Sequence, residues 1–170
     1  MTDVAGRRPE TGEYADYFDT YVRLVPDGDI ISTLKGQLAW FESLPADRWS
    51  HRYAPGKWDL KEVVGHVVDT EWVFSYRALR FARGDKVPLA GMEQDDLMAG
   101  ANFSGRTPDS MLAEWRHLRF AGVELFSSFS EEILDRTGQA SGYDFSVRAM
   151  IYTIAGHALH HRGVIEERYL

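Results

Sequence analysis

Apolar residues recur at intervals of three and four along four stretches of the chain, the spacing of one face of an α-helix. The stretches run from about residue 30 to 44, from 60 to 83, from 107 to about 133, and from just after Ser146 to Tyr169. Strand-like alternation is absent over any useful length. The pattern therefore predicts an all-α fold, a four-helix bundle.

Residues at the predicted helix ends support these boundaries. Asp29 can cap the first helix. Asp59 and Glu62 have the spacing of a capping box at the start of the second helix, and Gly84 follows its end. Thr107 precedes a proline at the first position of the third helix. Each of these is a recognised start or stop signal, so the four elements are expected to be separate helices.

Two segments lie outside the four helices. The connection between the second and third helices, residues 85–106, has no clear pattern, and irregular stretches of this length are uncommon in compact domains unless they are functional. We expect it to cross one end of the core and to let these two helices run parallel. Residues 1–12 are polar and contain Gly and Pro, so we expect a mobile N-terminus before a domain that spans 13–170.

Composition narrows the class of protein. A chain of 170 residues fits one domain, and its net charge of -7 without a long basic run argues against a nucleic-acid partner. The absence of cysteine excludes disulfides and thiolate metal sites, so any metal must be held by His, Asp or Glu. The N-terminus has no apolar signal core, and no stretch approaches the roughly 18 apolar residues of a membrane helix. We therefore expect a cytoplasmic protein with no membrane partner.

Candidate chemistry is concentrated in the last predicted helix. His157 and His161 are one turn apart and project from the same face, so both can reach one metal ion. That face also carries Met150 and Ile154, which places the histidines where a bundle helix normally carries leucine or valine. A third ligand is needed, and His66 in the second helix is the candidate. The three residues together predict a three-histidine metal site.

This site depends on how the helices run. His66 lies about seven residues after the start of the second helix, and His161 lies about eight residues before the end of the fourth. If the two helices are antiparallel neighbours, both histidines fall at the same height. If they are parallel, the offset is about 12 Å at 1.5 Å per residue, too far for one ion. The three-histidine site therefore requires an antiparallel pair.

Six motifs in consistent order make the chain similar to the DinB-like family, also described as DinB/YfiT-like metalloenzymes. The resemblance spans residues 14–170, and its motifs are LVPDGDI (24–30), YAPGKW (53–58), GHVVDTE (65–71), YRALR (76–80), ARGD (82–85) and HALHHRG (157–163). It implies a bundle with an up-down-down-up order of helices, which includes the antiparallel pair required above.

The resemblance also carries expectations about the site and its use. It implies that His66, His157 and His161 hold the metal, that the protein forms a homodimer, and that its substrate is a small molecule. Relatives of this kind are thiol-dependent transferases and isomerases, or are described as metal-dependent hydrolases. A low-molecular-weight thiol co-substrate is therefore implied for the transferase reaction.

Three neutral imidazoles would leave a bound ion with an open position, where water or a thiol can be deprotonated. We expect a divalent transition metal, Zn or Ni first, although imidazole also suits Cu, Co and Fe. The pattern thus favours a metal-dependent thiol transferase or hydrolase. The alternative is a non-catalytic metal-binding or stress-response protein, for which a metal closed by four protein ligands would be typical.

A general base has to be found outside the histidine motif, because Ala158 stands where a zincin-type helix would carry glutamate. Asp69 lies three residues after His66 on a similar face and is the candidate, either as a base or as a group that orients an imidazole. An ion pair with an arginine, or a helix-surface charge, is an equally good interpretation of Asp69.

Other polar residues near these motifs have structural interpretations. Glu71 points away from the histidine face and is expected to pair with Arg77 or Lys61. His160 could replace a neighbouring histidine as a ligand but is expected on the helix flank. The acidic pair at 95–96 could bind a hard cation, although such pairs are more often part of a solvated loop.

Overall fold

Four long helices form the core of the structure, a computed structural model that describes residues 7–170. They are α2 (Ile30–Glu42), α3 (Leu60–Ala82), α5 (Pro108–Ser127) and α7 (Val147–Arg168). Three short helices lie between or before them, α1 (Asp19–Val22), α4 (Gln94–Gly100) and α6 (Glu131–Leu134). A two-stranded antiparallel hairpin, β1 (Thr137–Ala140) and β2 (Tyr143–Ser146), precedes α7. Single 3₁₀ turns occur at Asp16–Phe18, Ala46–Arg48 and Phe103–Gly105.

The helices that carry the candidate histidines, α3 and α7, run antiparallel. Trp58, just before α3, accepts a hydrogen bond at its carbonyl from the Tyr169 hydroxyl, just after α7, at 2.8 Å. Further along α3, the ring of Phe74 lies 6.3 Å from the ring of His157. Residue numbers therefore rise along α3 as they fall along α7, and the pairing that a three-histidine site requires is confirmed.

The other contacts complete an up-down-down-up order. Helices α3 and α5 are parallel neighbours, because Lys61 donates to the Arg106 carbonyl near their starts and Trp115 donates to Glu71 further along both. Helices α2 and α7 are also parallel, since contacts between them advance in the same direction along both chains, from Gln37 with Ala155 to Trp40 with Arg162. The crossover of residues 83–107 connects the parallel pair α3 and α5.

The helix starts follow the capping residues in the sequence. Asp29 accepts from the backbone N–H of Ile31 at 2.9 Å, and Ser146 accepts from that of Ala149 at 2.9 Å. Asp59 and Glu62 exchange both hydrogen bonds of a capping box. Thr107 caps α5 through the N–H of Ser110, with proline at the first helical position. The predicted starts of all four long helices are confirmed.

Three local elements differ from the sequence prediction. The third helix does not continue to residue 133: α5 ends at Ser127, and Ser130 then caps the separate helix α6. The hairpin was not predicted, because its strands have only four residues each. Its turn holds Ser141 and Gly142 at φ 55° and 80°, the left-handed geometry of a type I′ turn. The crossover, expected to be irregular, contains α4, whose lack of buried residues leaves no apolar stripe to predict it.

The N-terminal expectation lies partly outside the described residues, since residues 1–6 are not among them. Within the described part, Arg8 donates to the carbonyls of Val25 and Val22 at 2.6 and 2.9 Å. This contact attaches the chain before residue 13 to the end of α1. The domain boundary at residue 13 stays a prediction.

A buried polar layer divides the apolar core of the bundle into two clusters. Arg119 of α5 donates to both carboxylate oxygens of Glu71 on α3 at 2.6 Å, and to the Leu34 carbonyl and Gln37 side chain of α2 at 2.7 Å. Gln37 in turn donates to the Ala155 carbonyl of α7 at 2.8 Å. All four helices meet in this layer. The structural role expected for Glu71 is confirmed, but its expected partner was wrong.

Candidate metal centre

His66, His157 and His161 come together between α3 and α7. One ring nitrogen from each lies within 4.8 Å of the others, and the Nε2 atoms of His66 and His157 are 3.2 Å apart. His66 and His157 are buried, whereas His161 is partly exposed. The antiparallel pairing of the helices thus brings all three predicted ligands to one point.

The neighbours of these rings fix where they sit. Gly156 allows α1 to pack directly on α7, because a Cβ at this position would lie 2.2 Å from the Tyr21 carbonyl oxygen. Tyr21 then places its ring edge-on against His157, with centroids 5.4 Å apart. On the other side, the Trp58 ring lies 5.2 Å from the His66 ring. Aromatic packing therefore holds one histidine on each helix, His157 of α7 against Tyr21 and His66 of α3 against Trp58.

The second glycine beside a histidine ties the crossover to α3. Gly65 contacts the ring of Phe103, and a Cβ there would lie 2.5 Å from ring atoms. Phe103 is itself buried. The crossover is consequently packed against the residue that precedes His66.

Burial keeps all three imidazoles neutral at pH 7. Desolvation, with a smaller contribution from the charge of His160, lowers the pKa of His66 to about 4. Desolvation, and then the charges of the neighbouring histidines, lowers the pKa of His161 to about 3. The same causes lower the pKa of His157 well below its ordinary value. Neutral imidazoles have a free lone pair, which is the form that binds a metal.

The donor set fits a divalent transition metal. Zn–N bonds are about 2.0–2.1 Å, so two imidazole nitrogens on one ion cannot be more than about 4.2 Å apart. The 3.2 Å between the Nε2 atoms of His66 and His157 meets this limit, and the 4.8 Å that bounds the separations among all three ligand nitrogens is slightly above it. The Nδ1 atom of His161 is buried and has no hydrogen-bond partner among residues 7–170. A bound cation would satisfy a buried nitrogen of this kind.

Two cavities open beside the histidines. One of about 260 Å³ is lined by His66 and His157, and its wall also includes Thr70, Arg77 and Gln94. A second cavity, of about 290 Å³, is lined by His161 and again by Gln94. The crossover helix α4 begins at Gln94, so the crossover lies over the histidine cluster and borders both cavities.

Comparison with known protein families assigns the chain to one of them. The model of the DinB superfamily matches residues 32–165. The chain belongs to the DinB superfamily. Its structure is similar to that of YfiT from Bacillus subtilis, with a TM-score of 0.68 over 95% of this chain and 91% of that chain, at 14% sequence identity. YfiT is described as a probable metal-dependent hydrolase with an unusual four-helix bundle topology. A search of curated proteins gives no match.

In this DinB-superfamily chain, Asp69 lies apart from the histidine cluster. The three-residue cluster found among the described residues does not include it. Burial and the charge of Glu114 raise the pKa of Asp69, and the charge of Arg106 partly offsets this. Its surroundings are thus on the α5 side of α3, and its role as base stays a prediction.

Two further residues that the sequence offered as metal ligands, His160 and Asp95, lie beside the cluster. His160 is not part of the cluster, and its ring packs against Tyr21 with centroids 5.5 Å apart. Asp95, interpreted from sequence as part of a solvated loop, is exposed but borders the cavity that His161 lines.

Sequence analysis missed two polar residues of the cavity that His66 and His157 line. Thr70 and Arg77 follow His66 by four and eleven residues on α3, so both lie on the same face of the helix as this histidine. This spacing was a usable signal in the sequence. Neither residue was assigned a functional role from it, since Arg77 was considered only as a partner of Glu71.

Proposed function

We propose that this DinB-superfamily protein binds one divalent transition metal through His66, His157 and His161 and acts as an enzyme on a small molecule. The observation that carries the proposal is the convergence of three neutral imidazoles, two of them buried and one partly exposed, beside a cavity of about 260 Å³. Structural zinc sites are closed by four protein ligands, whereas catalytic sites keep a position open for water or substrate.

Hydrolysis and thiol transfer can both use this arrangement. A divalent ion held by the three histidines would act as a Lewis acid and would lower the pKa of a bound water or thiol. The protein's own residues contribute apolar walls, including Phe74 and Met92, which limit the access of bulk water. Gln94 from the crossover offers an amide to a ligand in either cavity.

Hydrolysis is the first reaction to test. It is supported by the shared fold with YfiT, which is described as a probable metal-dependent hydrolase. Thiol transfer, with a low-molecular-weight thiol as co-substrate, is the second and is supported by the sequence resemblance. Zn²⁺ and Ni²⁺ are the first ions to test because both accept imidazole ligands.

The first experiment is elemental analysis of protein purified without a histidine tag. We expect about one metal ion per chain, and its loss in His66→Ala and in His161→Ala. His117→Ala is the matched control, since His117 is exposed on α5 and should leave the metal content unchanged. Wild-type protein that takes up no metal even after loading would overturn the proposal.

The second experiment separates the reactions. Metal-loaded and metal-stripped protein are compared on a panel of esters and amides, with and without added thiols. Turnover that needs metal but not thiol supports hydrolysis, and turnover that needs both supports transfer. Stoichiometric metal without turnover on any panel member would favour the non-catalytic alternative, a metal-binding or stress-response protein.

A homodimer is also part of the proposal. Large aromatic side chains are exposed on two of the long helices: Trp72 and Tyr76 one turn apart on α3, and Phe120 on α5, each about half exposed. We expect sedimentation velocity to give twice the mass of the chain, and Phe120→Ser or Trp72→Ser to shift the protein towards monomer. A monomer at all concentrations tested would contradict this part of the proposal.

A further inference from the structure

Within residues 7–170, Arg77 is a buried cation that no acidic side chain pairs with. Among the described residues three arginines are buried: Arg77, Arg119 and Arg148, with exposed fractions of 3%, 1% and 3%. Arg119 is paired with Glu71. Arg148 is paired with three acidic side chains. For Arg77, no carboxylate within residues 7–170 lies within 4.0 Å.

The hydrogen bonds of Arg77 do not neutralise its charge. Its Nη2 atom donates to the Ala90 carbonyl at 3.0 Å and to the Ser141 hydroxyl at 3.1 Å, both of which are neutral acceptors. Burial accordingly lowers the pKa of Arg77. Arginine nevertheless stays protonated in proteins, and burying a charge is costly unless it is paired. The unpaired charge of Arg77 therefore destabilises the folded protein, and a bound anion would offset this destabilisation.

This cation lies in the wall of the cavity beside the histidines. His66, Thr70, Phe74 and Arg77 all line the same cavity and all come from one face of α3. The Thr70 hydroxyl is buried and has no hydrogen-bond partner among the described residues. The face thus presents a candidate metal ligand, an unpartnered hydroxyl, an aromatic ring and an unpaired guanidinium in sequence. Such a row is suited to an apolar molecule with one polar end.

We propose that the substrate of the site is a small molecule with a carboxylate or phosphate group, and that Arg77 binds this oxyanion while the remainder of the molecule extends towards the histidines. This inference rests on the proposed metal-dependent function. A guanidinium forms strong, charge-assisted hydrogen bonds with either oxyanion, often through two parallel contacts. The cavity of about 260 Å³ is close to the lower end of the size range of small-molecule sites.

A purely structural role for Arg77 is the competing explanation. Through Ala90 and Ser141 it joins α3 to the crossover and to the hairpin turn. The exposed carboxylates of Glu93 and Asp96 border a neighbouring cavity that Arg77 also lines, and in solution one of them could serve as its partner. If Arg77 is purely structural, or if Glu93 or Asp96 is its partner, the charge of a ligand should not change its affinity for the cavity. An equilibrium binding experiment can test this.

The test is calorimetric titration of metal-stripped wild-type protein with benzoate, phenyl phosphate and benzamide at fixed ionic strength. The chelator must first be removed, because its own carboxylates would compete. We expect at least one of the two anions to bind about tenfold or more tightly than neutral benzamide, as a charge-assisted contact requires. Tighter binding of benzoate identifies a carboxylate substrate, and tighter binding of phenyl phosphate a phosphate. Benzamide binding as tightly as both anions overturns the proposal.

Variants assign the effect to Arg77. Arg77→Gln should weaken anion binding about tenfold or more, and Arg77→Lys, which keeps the charge but not the planar fork, should weaken it less. Arg83→Gln removes the same charge from an exposed position at the end of α3 and should change nothing. Unchanged anion binding in a folded Arg77→Gln overturns the proposal. If Arg77→Gln does not fold, the wild-type titrations and Arg77→Lys decide.

The outcome is independent of the metal. Because the titrations use metal-stripped protein, oxyanion binding can succeed where metal uptake fails, and the reverse. Failure of the metal proposal is detected by elemental analysis of the wild type and the histidine variants. Failure of the oxyanion proposal is detected when neither benzoate nor phenyl phosphate binds more tightly than benzamide.

Discussion

At the scale of single residues, the histidine cluster lowers the stability of the folded protein, because its polar rings are buried. His66 and His157 occupy positions in the bundle interior that are 5% exposed, where an aliphatic side chain would contribute apolar burial at no desolvation cost. The position of these two residues could be predicted from sequence, since they stand on the apolar faces of strongly periodic helices. The role of Asp69 could not be tested in the same way, because spacing within α3 does not define what the α5 side contributes.

The first prediction concerns pH. The folded pKa of His66 is about 4 and that of His161 about 3, against an ordinary value of 6.5. Between pH 4 and 6.5 the unfolded chain therefore binds more protons than the folded one. The free energy of unfolding of metal-free protein should accordingly rise with pH over this range, and the contribution of these histidines to it should stop changing above pH 6.5. Urea unfolding at a series of pH values measures this.

The matched variants for this prediction are His66→Gln and His117→Gln. The first should flatten the dependence of the unfolding free energy on pH between 4 and 6.5, because it removes one of the groups that titrate differently in the two states. The second changes an exposed histidine and should keep the wild-type slope. A wild-type free energy that is flat across this range would contradict the prediction.

The second prediction concerns Gly156, where a Cβ would meet the Tyr21 carbonyl oxygen at 2.2 Å. Gly156→Ala should displace α1 from α7 and lower the free energy of unfolding by about 1–3 kcal/mol, the usual cost of overpacking. Since Tyr21 packs on His157, the variant should also bind metal more weakly. Urea unfolding and metal titration measure the two effects.

Gly163 is the control in the same helix. It is exposed, and nothing lies within 4 Å of a Cβ there. Gly163→Ala should therefore stabilise the protein by up to about 1 kcal/mol through helix propensity. Equal effects of the two substitutions would show that the close approach of α1 at Gly156 does not constrain the protein.

At the scale of elements, the polar layer holds the four long helices in register. Helix positions and starts could be predicted from apolar spacing and capping residues, each of which is local in sequence. The Glu71–Arg119 pair could not, because its partners are 48 residues apart and meet only once α3 and α5 lie side by side. The hairpin and α4 escaped prediction for a different reason: four-residue strands and a helix without buried residues carry no periodic signal.

The third prediction tests this layer. Arg119→Met should lower the free energy of unfolding by about 3–5 kcal/mol, because it leaves the buried Glu71 carboxylate without its cation. Adding Glu71→Leu to the same protein should recover much of the loss, since the unpaired charge is then removed. Urea unfolding of the single and double variants gives both values.

An exposed ion pair on the same helix is the control. Arg116 on α5 pairs with Glu42 at 2.7 Å, and its side chain is 45% exposed. Arg116→Met should change the free energy of unfolding by no more than about 1 kcal/mol. If Arg119→Met costs no more than Arg116→Met, the buried layer does not hold the helices together.

At the scale of the whole molecule, the helix order explains why the histidines and the crossover meet. In an up-down-down-up bundle α3 and α5 are parallel, so the chain must return along the bundle between them, and here that return brings Gln94 over both cavities. The sequence allowed the antiparallel α3–α7 pair to be predicted as a requirement of the site. No helix among the described residues has both the length and the apolar character needed to cross a membrane.

The fourth prediction follows from this arrangement, because an ion shared by His66, His157 and His161 would link the two longest helices, α3 and α7. A ligand that binds only the folded state stabilises it, by about 2.7 kcal/mol at a hundredfold excess over Kd. For a chain of this length, that corresponds to a rise in Tm of about 5–11 °C. Thermal unfolding of metal-stripped protein titrated with Zn²⁺ or Ni²⁺ measures it. His161→Ala should abolish the rise, whereas His117→Ala should retain it. A rise of equal size in His161→Ala would mean that the metal stabilises the fold from a site other than the three histidines.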